Sequence, residues 1–253
     1  MCAVMIYISC GFIIGIVMGL TGAGGALVSI PLFMHFMGMT LIDASVYSLL
    51  SVVIASLFNF IAQRNFADSK VALVIFFFSI ISSYIVAPLK GEIPLSVVAT
   101  LLISISLYAV YSIWFSGKGV VAEKSQKKLK NTFLLTMIMG LILGALTTIT
   151  GLGGGVFLMP IFINIFLFSQ SEAVATSLLA VALSSSTSLL LQIHHGFHMD
   201  FNLNIFYLIF GILTSAIILK SIMKKISPKI LSLVRKIVFT SIVVLAIMKI
   251  SLT

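Results

Sequence analysis

The sequence predicts an all-α polytopic membrane protein, with about eight transmembrane helices built from two repeats that contain Gly-rich broken helices. Composition is the first reason: of 253 residues, 60% are hydrophobic and only 8% are charged, whereas a soluble domain has about 25% charged residues. Secondly, the apolar residues form runs close to the ~20 residues that a helix needs to span a bilayer. Thirdly, the chain repeats itself at a fixed offset.

The apolar runs are separated by short polar breaks, such as 64–70 and 90–92, and by one longer basic connection. Because lipid offers the backbone no hydrogen-bond partner, each run is predicted to be helical. The runs cover residues 3–37, 44–63, 71–88, 94–115, 132–167, 172–192, 202–219 and 228–250. The basic connection divides the chain into a first four-helix repeat (1–115), a loop (116–131) and a second four-helix repeat (132–253).

Basic residues outnumber acidic ones, 15 against 6, for a formal charge of +9. They lie mainly between the apolar runs, where topology and anionic lipid headgroups account for them. We therefore predict the lipid bilayer as a partner and no nucleic acid. The basic connections are nearly balanced between the two sides, so the orientation stays open. Cys2 and Cys10 are too few and too local for a disulfide framework or a metal site.

A shift of 129 positions superimposes the two halves. It places Gly11, Gly15, Thr21, Gly22, Gly24, Gly25 and Pro31 over Gly140, Gly144, Thr150, Gly151, Gly153, Gly154 and Pro160, and it pairs Asp43 with Glu172. Duplicated halves are typical of secondary transporters, whose substrate site lies where the halves meet. Runs 3–37 and 132–167 are too long for one span, so each can hold a re-entrant or broken helix. Parallel and inverted repeats therefore both stay open.

The paired glycine clusters are the most informative feature of the sequence. Each glycine costs a helix about 1 kcal/mol, so each long run is predicted to break there, with Pro31 and Pro160 adding to the distortion. The amides that begin the next helix would then offer a partly positive site to an anion. The alternative is that the glycines only allow close helix packing, as in Gly15-x-x-x-Gly19. The candidate substrate-binding residues at the breaks are Thr21, Gly22, Gly24, Gly25, Thr150, Gly151, Gly153 and Gly154.

The helix after each break carries a polar stripe at helical spacing. The stripe is Ser48, Ser56, Asn59 and Gln63 in the first half, and Ser177, Ser185, Ser188 and Gln192 in the second. Its hydroxyls and amides could donate to an anion, and interhelical hydrogen bonding is an equal alternative. The further substrate-binding candidates are Ser48, Asn59, Gln63, Ser177 and Gln192.

The carboxylates are all predicted at run ends or in loops. They are Asp43, Asp68, Glu92, Glu123, Glu172 and Asp200. Cation pumps and proton relays place acids inside the membrane, so a small anion is the favoured substrate. An anion channel would use the same local chemistry and stays an alternative.

An intramembrane enzyme is the less favoured alternative. The serines at 184–186 and Ser188 precede His194, His195 and His198, but no nucleophile turn accompanies them. His194 and His198 lack a convincing third metal ligand. We predict no enzymatic activity, no catalytic residue, no metal and no cofactor.

The chain resembles the sulfite exporter TauE/SafE family of small membrane transporters. The resemblance rests on Gly-x-Gly-Gly-(x)n-Pro at 22–31 and 151–160 and on Ala-x-x-x-Ser-Leu at 44–49 and 173–178. It implies movement of sulfur-containing or organic anions, coupled to an ion gradient such as that of H+. We therefore predict a multi-pass secondary transporter of the cytoplasmic (inner) membrane that works by alternating access, in an oligomeric state that the sequence leaves open.

Overall fold

Every regular element in the computed structural model is helical within the residues that the structure describes, which are 2–21, 25–115, 132–196, 203–223 and 240. The α-helices are α1 (Cys2–Thr21), α2 (Gly25–Phe36), α3 (Leu41–Gln63), α4 (Ser69–Val86), α5 (Leu95–Phe115), α6 (Thr132–Thr150), α7 (Gly155–Asn164), α8 (Gln170–His194) and α9 (Leu203–Met223). Short 3-10 turns, Arg64–Phe66 and Ala87–Gly91, follow α3 and α4. The predicted all-α class is confirmed.

The helical assembly buries many polar side chains beside its apolar core, and it exposes many large apolar side chains on its surface. Four described stretches are long and apolar enough to cross a membrane: Leu41–Phe66, Ser69–Gly91, Phe133–Thr150 and Ser171–His194. Exposed apolar side chains include Phe58, Ile61, Phe77, Phe206 and Phe210, whereas buried polar ones include Ser48, Ser83, Thr148, Ser177, Ser188 and Gln192. This arrangement suits a lipid environment. The predicted loop 116–131 and nearly all of run 228–250 fall outside the described residues, so the number of spans and the division into repeats stay predictions.

The starts of α3 and α8 are capped in the same way, at positions related by the 129-residue offset. The Thr40 hydroxyl accepts the N–H of Asp43. At the equivalent place, the Ser169 hydroxyl accepts the N–H of Glu172, whose carboxylate accepts the Ser169 N–H in return. Such caps satisfy amides that the first turn leaves unpaired. The carboxylates at these two positions therefore have a structural use at helix starts.

Helices α3 and α8 form the centre of the fold and run antiparallel. Lys90 is hydrogen-bonded both to Ser45, near the start of α3, and to Gln192, near the end of α8. Just beyond the other end of α3, the Asp68 N–H donates to Thr176 near the start of α8. Because α3 and α8 are equivalent under the repeat offset, the repeated helices point in opposite directions. Inverted repeats of this kind are known from secondary transporters, so the antiparallel pair favours the inverted arrangement over the parallel one.

Glycines allow close packing in two helix pairs beside α3 and α8, namely α1 with α9 and α4 with α6. On α1, Gly11 faces the backbone of α9 and Gly15 faces the Ser215 side chain of α9. On α6, Gly140 and Gly144 face the backbone of α4. A Cβ at any of these glycines would collide with its neighbour. Close packing therefore explains these four glycines.

Alanine at Gly144 is expected to destabilise the protein by about 1–3 kcal/mol, because the added Cβ would collide with the Ser79 carbonyl and lie 2.8 Å from the Ser79 Cα, where only backbone could yield. The measurement is a thermal melt of detergent-solubilised protein by circular dichroism. Gly91→Ala is the control, since its Cβ would meet no atom within 4 Å. Equal melting temperatures for the two variants would contradict this packing.

Candidate functional site

The long run 132–167 breaks at its glycine cluster, as predicted, because α6 ends at Thr150 and α7 begins at Gly155. Gly151, Gly153 and Gly154 have φ angles of 72°, 66° and 56°, in the left-handed region that favours glycine. The Gly151 N–H still closes the last turn of α6, on the Thr147 carbonyl at 2.9 Å. The first amides of α7 have no acceptor in their own helix and carry partial positive charge.

The break in the second half contacts helices of the first half. The Ser48 hydroxyl donates to the Gly151 carbonyl at 3.0 Å, and the Ser48 and Ser29 hydroxyls lie 2.6 Å apart. A Cβ at Gly151 would lie 2.6 Å from the Ser45 carbonyl oxygen, so the two backbones approach closely. The glycine break therefore lies against α3 of the first half, and α2 contacts α3 at the same place through Ser29.

Two buried hydroxyls beside the break have no hydrogen-bond partner within the described part of the chain. They belong to Thr147 on α6 and Ser185 on α8, and both side chains are fully buried. A Cβ at Gly153 would lie 3.1 Å from the Ser185 Oγ, and one at Gly154 would lie 3.0 Å from the Thr147 Oγ1. An unpaired buried hydroxyl costs about 1–3 kcal/mol. Two such donors beside the same break are therefore candidates for ligand binding.

A buried lysine lies next to the break. The Lys90 ammonium donates to the Ser45 hydroxyl and to the Gln192 side-chain carbonyl, both at 2.8 Å. The Gln192 amide donates in turn to the Thr148 carbonyl at 3.0 Å, two residues before the end of α6. Lys90 is only 7% exposed. The sequence interpretation missed it, because it placed Lys90 in a polar break between helices, where a lysine normally extends to the membrane surface.

A set of hydroxyls links α4, α6 and α8 behind the break. The Ser188 Oγ lies 3.0 Å from the Thr148 Oγ1 and 3.2 Å from the Ser83 Oγ. The Ser83 hydroxyl also donates to the Gly144 carbonyl at 3.3 Å. These contacts join different helices. At Ser188 the polar stripe therefore serves interhelical hydrogen bonding, which is the alternative to anion binding given above.

The structure brings some predicted site residues together and separates others. Ser48, Gly151, Gly153, Gly154 and Gln192 lie at or beside the break. Thr150 lies there too, but its hydroxyl serves the backbone, donating to the Leu146 carbonyl and accepting the Leu152 N–H.

Three other candidates lie away from the second break, towards the opposite end of the antiparallel pair α3 and α8. The Asn59 amide donates to the Ala55 carbonyl of its own helix, Gln63 is the half-buried last residue of α3, and the Ser177 hydroxyl donates to the Val174 carbonyl. At the first break, Thr21 ends α1 and Gly25 begins α2. Gly22 and Gly24 fall outside the described residues. The prolines, Pro31 and Pro160, lie inside α2 and α7 and do not form the breaks.

The described carboxylates and the histidines at the end of α8 lie away from the break. The described carboxylates of Asp43, Asp68, Glu92 and Glu172 lie at helix starts or in a connection, and none is buried. His194 and His195 are exposed at the end of α8, while His198 falls outside the described residues. No group of three metal-ligating side chains occurs in the described ranges.

Comparison with known proteins gives one match. The family model of the sulfite exporter TauE/SafE family matches residues 7–248, nearly the whole chain. No curated protein and no solved structure matches the chain significantly.

Proposed function

Because the chain belongs to the sulfite exporter TauE/SafE family, we propose that it is a secondary transporter that moves a small sulfur-containing or organic anion across the cytoplasmic membrane. The family consists of membrane transporters of sulfite or related anions, so a small anion and the lipid bilayer are its partners. The substrate within that class, the alternating-access mechanism and the coupling ion, such as H+, are parts of the proposal.

One observation carries the assignment of the site: the hydroxyls of Thr147 and Ser185 beside the break have no hydrogen-bond partner among the described residues. An oxyanion such as sulfite accepts several hydrogen bonds, and hydroxyls together with the first amides of a helix are suitable donors. The site needs no carboxylate, which would repel the substrate. The first amides of α7 can only donate, so they would bind an anion and not a cation.

The position of the break suits alternating access. It belongs to the second half, yet its Gly151 carbonyl is bonded to Ser48 of the first half. A movement of one half against the other would therefore change the surroundings of the bound anion, which is how inverted-repeat transporters expose a site to each side in turn.

Counterflow in proteoliposomes tests this function. Vesicles preloaded with unlabelled sulfite should accumulate labelled sulfite transiently, with saturable kinetics and no imposed ion gradient, whereas vesicles without protein should not. Sulfate, thiosulfate, sulfonates and carboxylates as competitors would define the substrate. Anion flux that follows the gradient with no counterflow would indicate a channel, and no flux of any of these anions would contradict the proposal.

A further inference from the structure

Lys90 links the two halves through neutral oxygen atoms. Its ammonium is bonded to Ser45 of α3 and to Gln192 of α8, and these helices are equivalent and antiparallel. The Ser45 hydroxyl meanwhile donates to the Ile42 carbonyl at 2.7 Å, so it accepts from Lys90 with a remaining lone pair. Both of these acceptors are dipoles, and a dipole is a weaker partner for a buried cation than an anionic oxygen.

The linked groups adjoin the glycine break directly. Ser45 is the residue whose backbone meets Gly151, and Gln192 is bonded to the Thr148 carbonyl, in the last turn of α6 before the break. Lys90 therefore lies beside the break, at the end of the antiparallel pair where α3 begins and α8 ends. An anion that reaches the break from this end of the pair would come within reach of the ammonium group.

We propose that Lys90 is an anion-binding and specificity-determining residue of the transport path, whose ammonium exchanges Ser45 and Gln192 for the oxygens of the substrate. The exchange loosens the link between α3 and α8 and so couples arrival of the anion to separation of the halves on this side. A doubly charged oxyanion gains more from this contact than a singly charged one. The inference rests on the proposed anion transport and deepens it.

Substitutions at Lys90 and Ser45 should change the KM for sulfite in opposite directions. Lys90→Met should raise the KM by at least about tenfold, because a charge-assisted hydrogen bond to the substrate is lost. Lys90→Arg should keep the KM within about threefold of wild type, because arginine keeps the positive charge. The remaining change reflects its planar guanidinium, which replaces a compact ammonium. Ser45→Ala should lower the KM by about twofold to threefold, because the Lys90 ammonium then has one hydrogen bond fewer to give up when the anion binds. Lys70→Met removes an exposed lysine at the start of α4 and is the control, expected at the wild-type KM.

The results separate this inference from the function on which it rests. Absence of counterflow by the wild-type protein would overturn the proposed function itself. Counterflow by the wild type together with an unchanged KM in Lys90→Met would overturn the role of Lys90 alone. Where Lys90→Met does not insert, Ser45→Ala decides, and a KM that is unchanged or raised would overturn the exchange. A loss of the preference for sulfate over methanesulfonate as competitor in Lys90→Met would support the specificity role, which a purely structural lysine would not affect.

Discussion

Valine in place of Gly153 is expected to abolish transport while the protein still inserts into the membrane. Gly153 has a φ of 66°, and a β-branched residue there is strained by roughly 1–2 kcal/mol. Its Cβ would also lie 2.7 Å from the Val52 Cγ1 and 3.1 Å from the Ser185 Oγ. The valine side chain would thus collide with Val52 and crowd the Ser185 hydroxyl. Sulfite counterflow per amount of reconstituted protein is the measurement.

Gly38→Val is a matched control for this variant. Gly38 has nearly the same φ, 65°, but a Cβ there would meet no atom within 4 Å. The backbone strain is therefore similar and the collision is absent, so Gly38→Val should transport close to the wild-type rate. Wild-type flux in Gly153→Val would remove this position from the site. Equal losses in both variants would show that strain alone, and not the site, accounts for the effect.

The break itself could be predicted from sequence because its cause is local. Three glycines within four residues, at 151–154, weaken a helix wherever it packs, and the duplicate at 22–25 excludes coincidence. The same reasoning could not tell which glycines break a helix and which only pack. Gly140 and Gly144 face the backbone of α4, and that contact depends on a helix far away in the sequence.

The antiparallel arrangement of α3 and α8 and the burial of Lys90 depend on long-range contacts, which the sequence alone does not reveal. Whether a chain crosses the membrane or turns back after a break depends on tertiary packing, and both outcomes fit the same hydropathy. Lys90 follows an apolar helix, as do lysines that extend to lipid headgroups. Only the approach of α8, which brings Gln192 to it, distinguishes the buried lysine from the ordinary one.

The polar stripe shows a third reason why the site could be predicted from the sequence only in part. Helical spacing correctly places Ser48, Ser185, Ser188 and Gln192 on buried faces, but spacing carries no information on hydrogen-bond partners. Ser188 bonds to other helices, whereas Ser185 has no partner in the described part of the chain. A hydroxyl that can bind a ligand is therefore identified by the absence of a hydrogen-bond partner in the described part of the chain. That absence depends on how the helices pack.

The double variant Thr147→Val, Ser185→Ala is expected to lose transport and keep its stability. Each substitution removes a hydroxyl that has no partner in the described part of the chain, so the free energy of unfolding should stay equal or rise by about 1 kcal/mol. If both hydroxyls donate to the anion, their loss should lower kcat/KM for sulfite by about a hundredfold. Counterflow and a thermal melt of the same preparation measure the two effects together.

The double variant is informative because transport should fall while the free energy of unfolding stays equal or rises. Removal of hydroxyls with a structural role would instead lower the stability of the protein. The control is Thr187→Val, Ser186→Ala, the neighbouring pair on α8, whose hydroxyls donate to the Leu183 and Ala182 carbonyls of their own helix. That pair should transport like wild type. A double variant at Thr147 and Ser185 that melts at lower temperature yet transports normally would mean that the two hydroxyls are paired in the membrane by groups other than the substrate, and that the anion binds elsewhere.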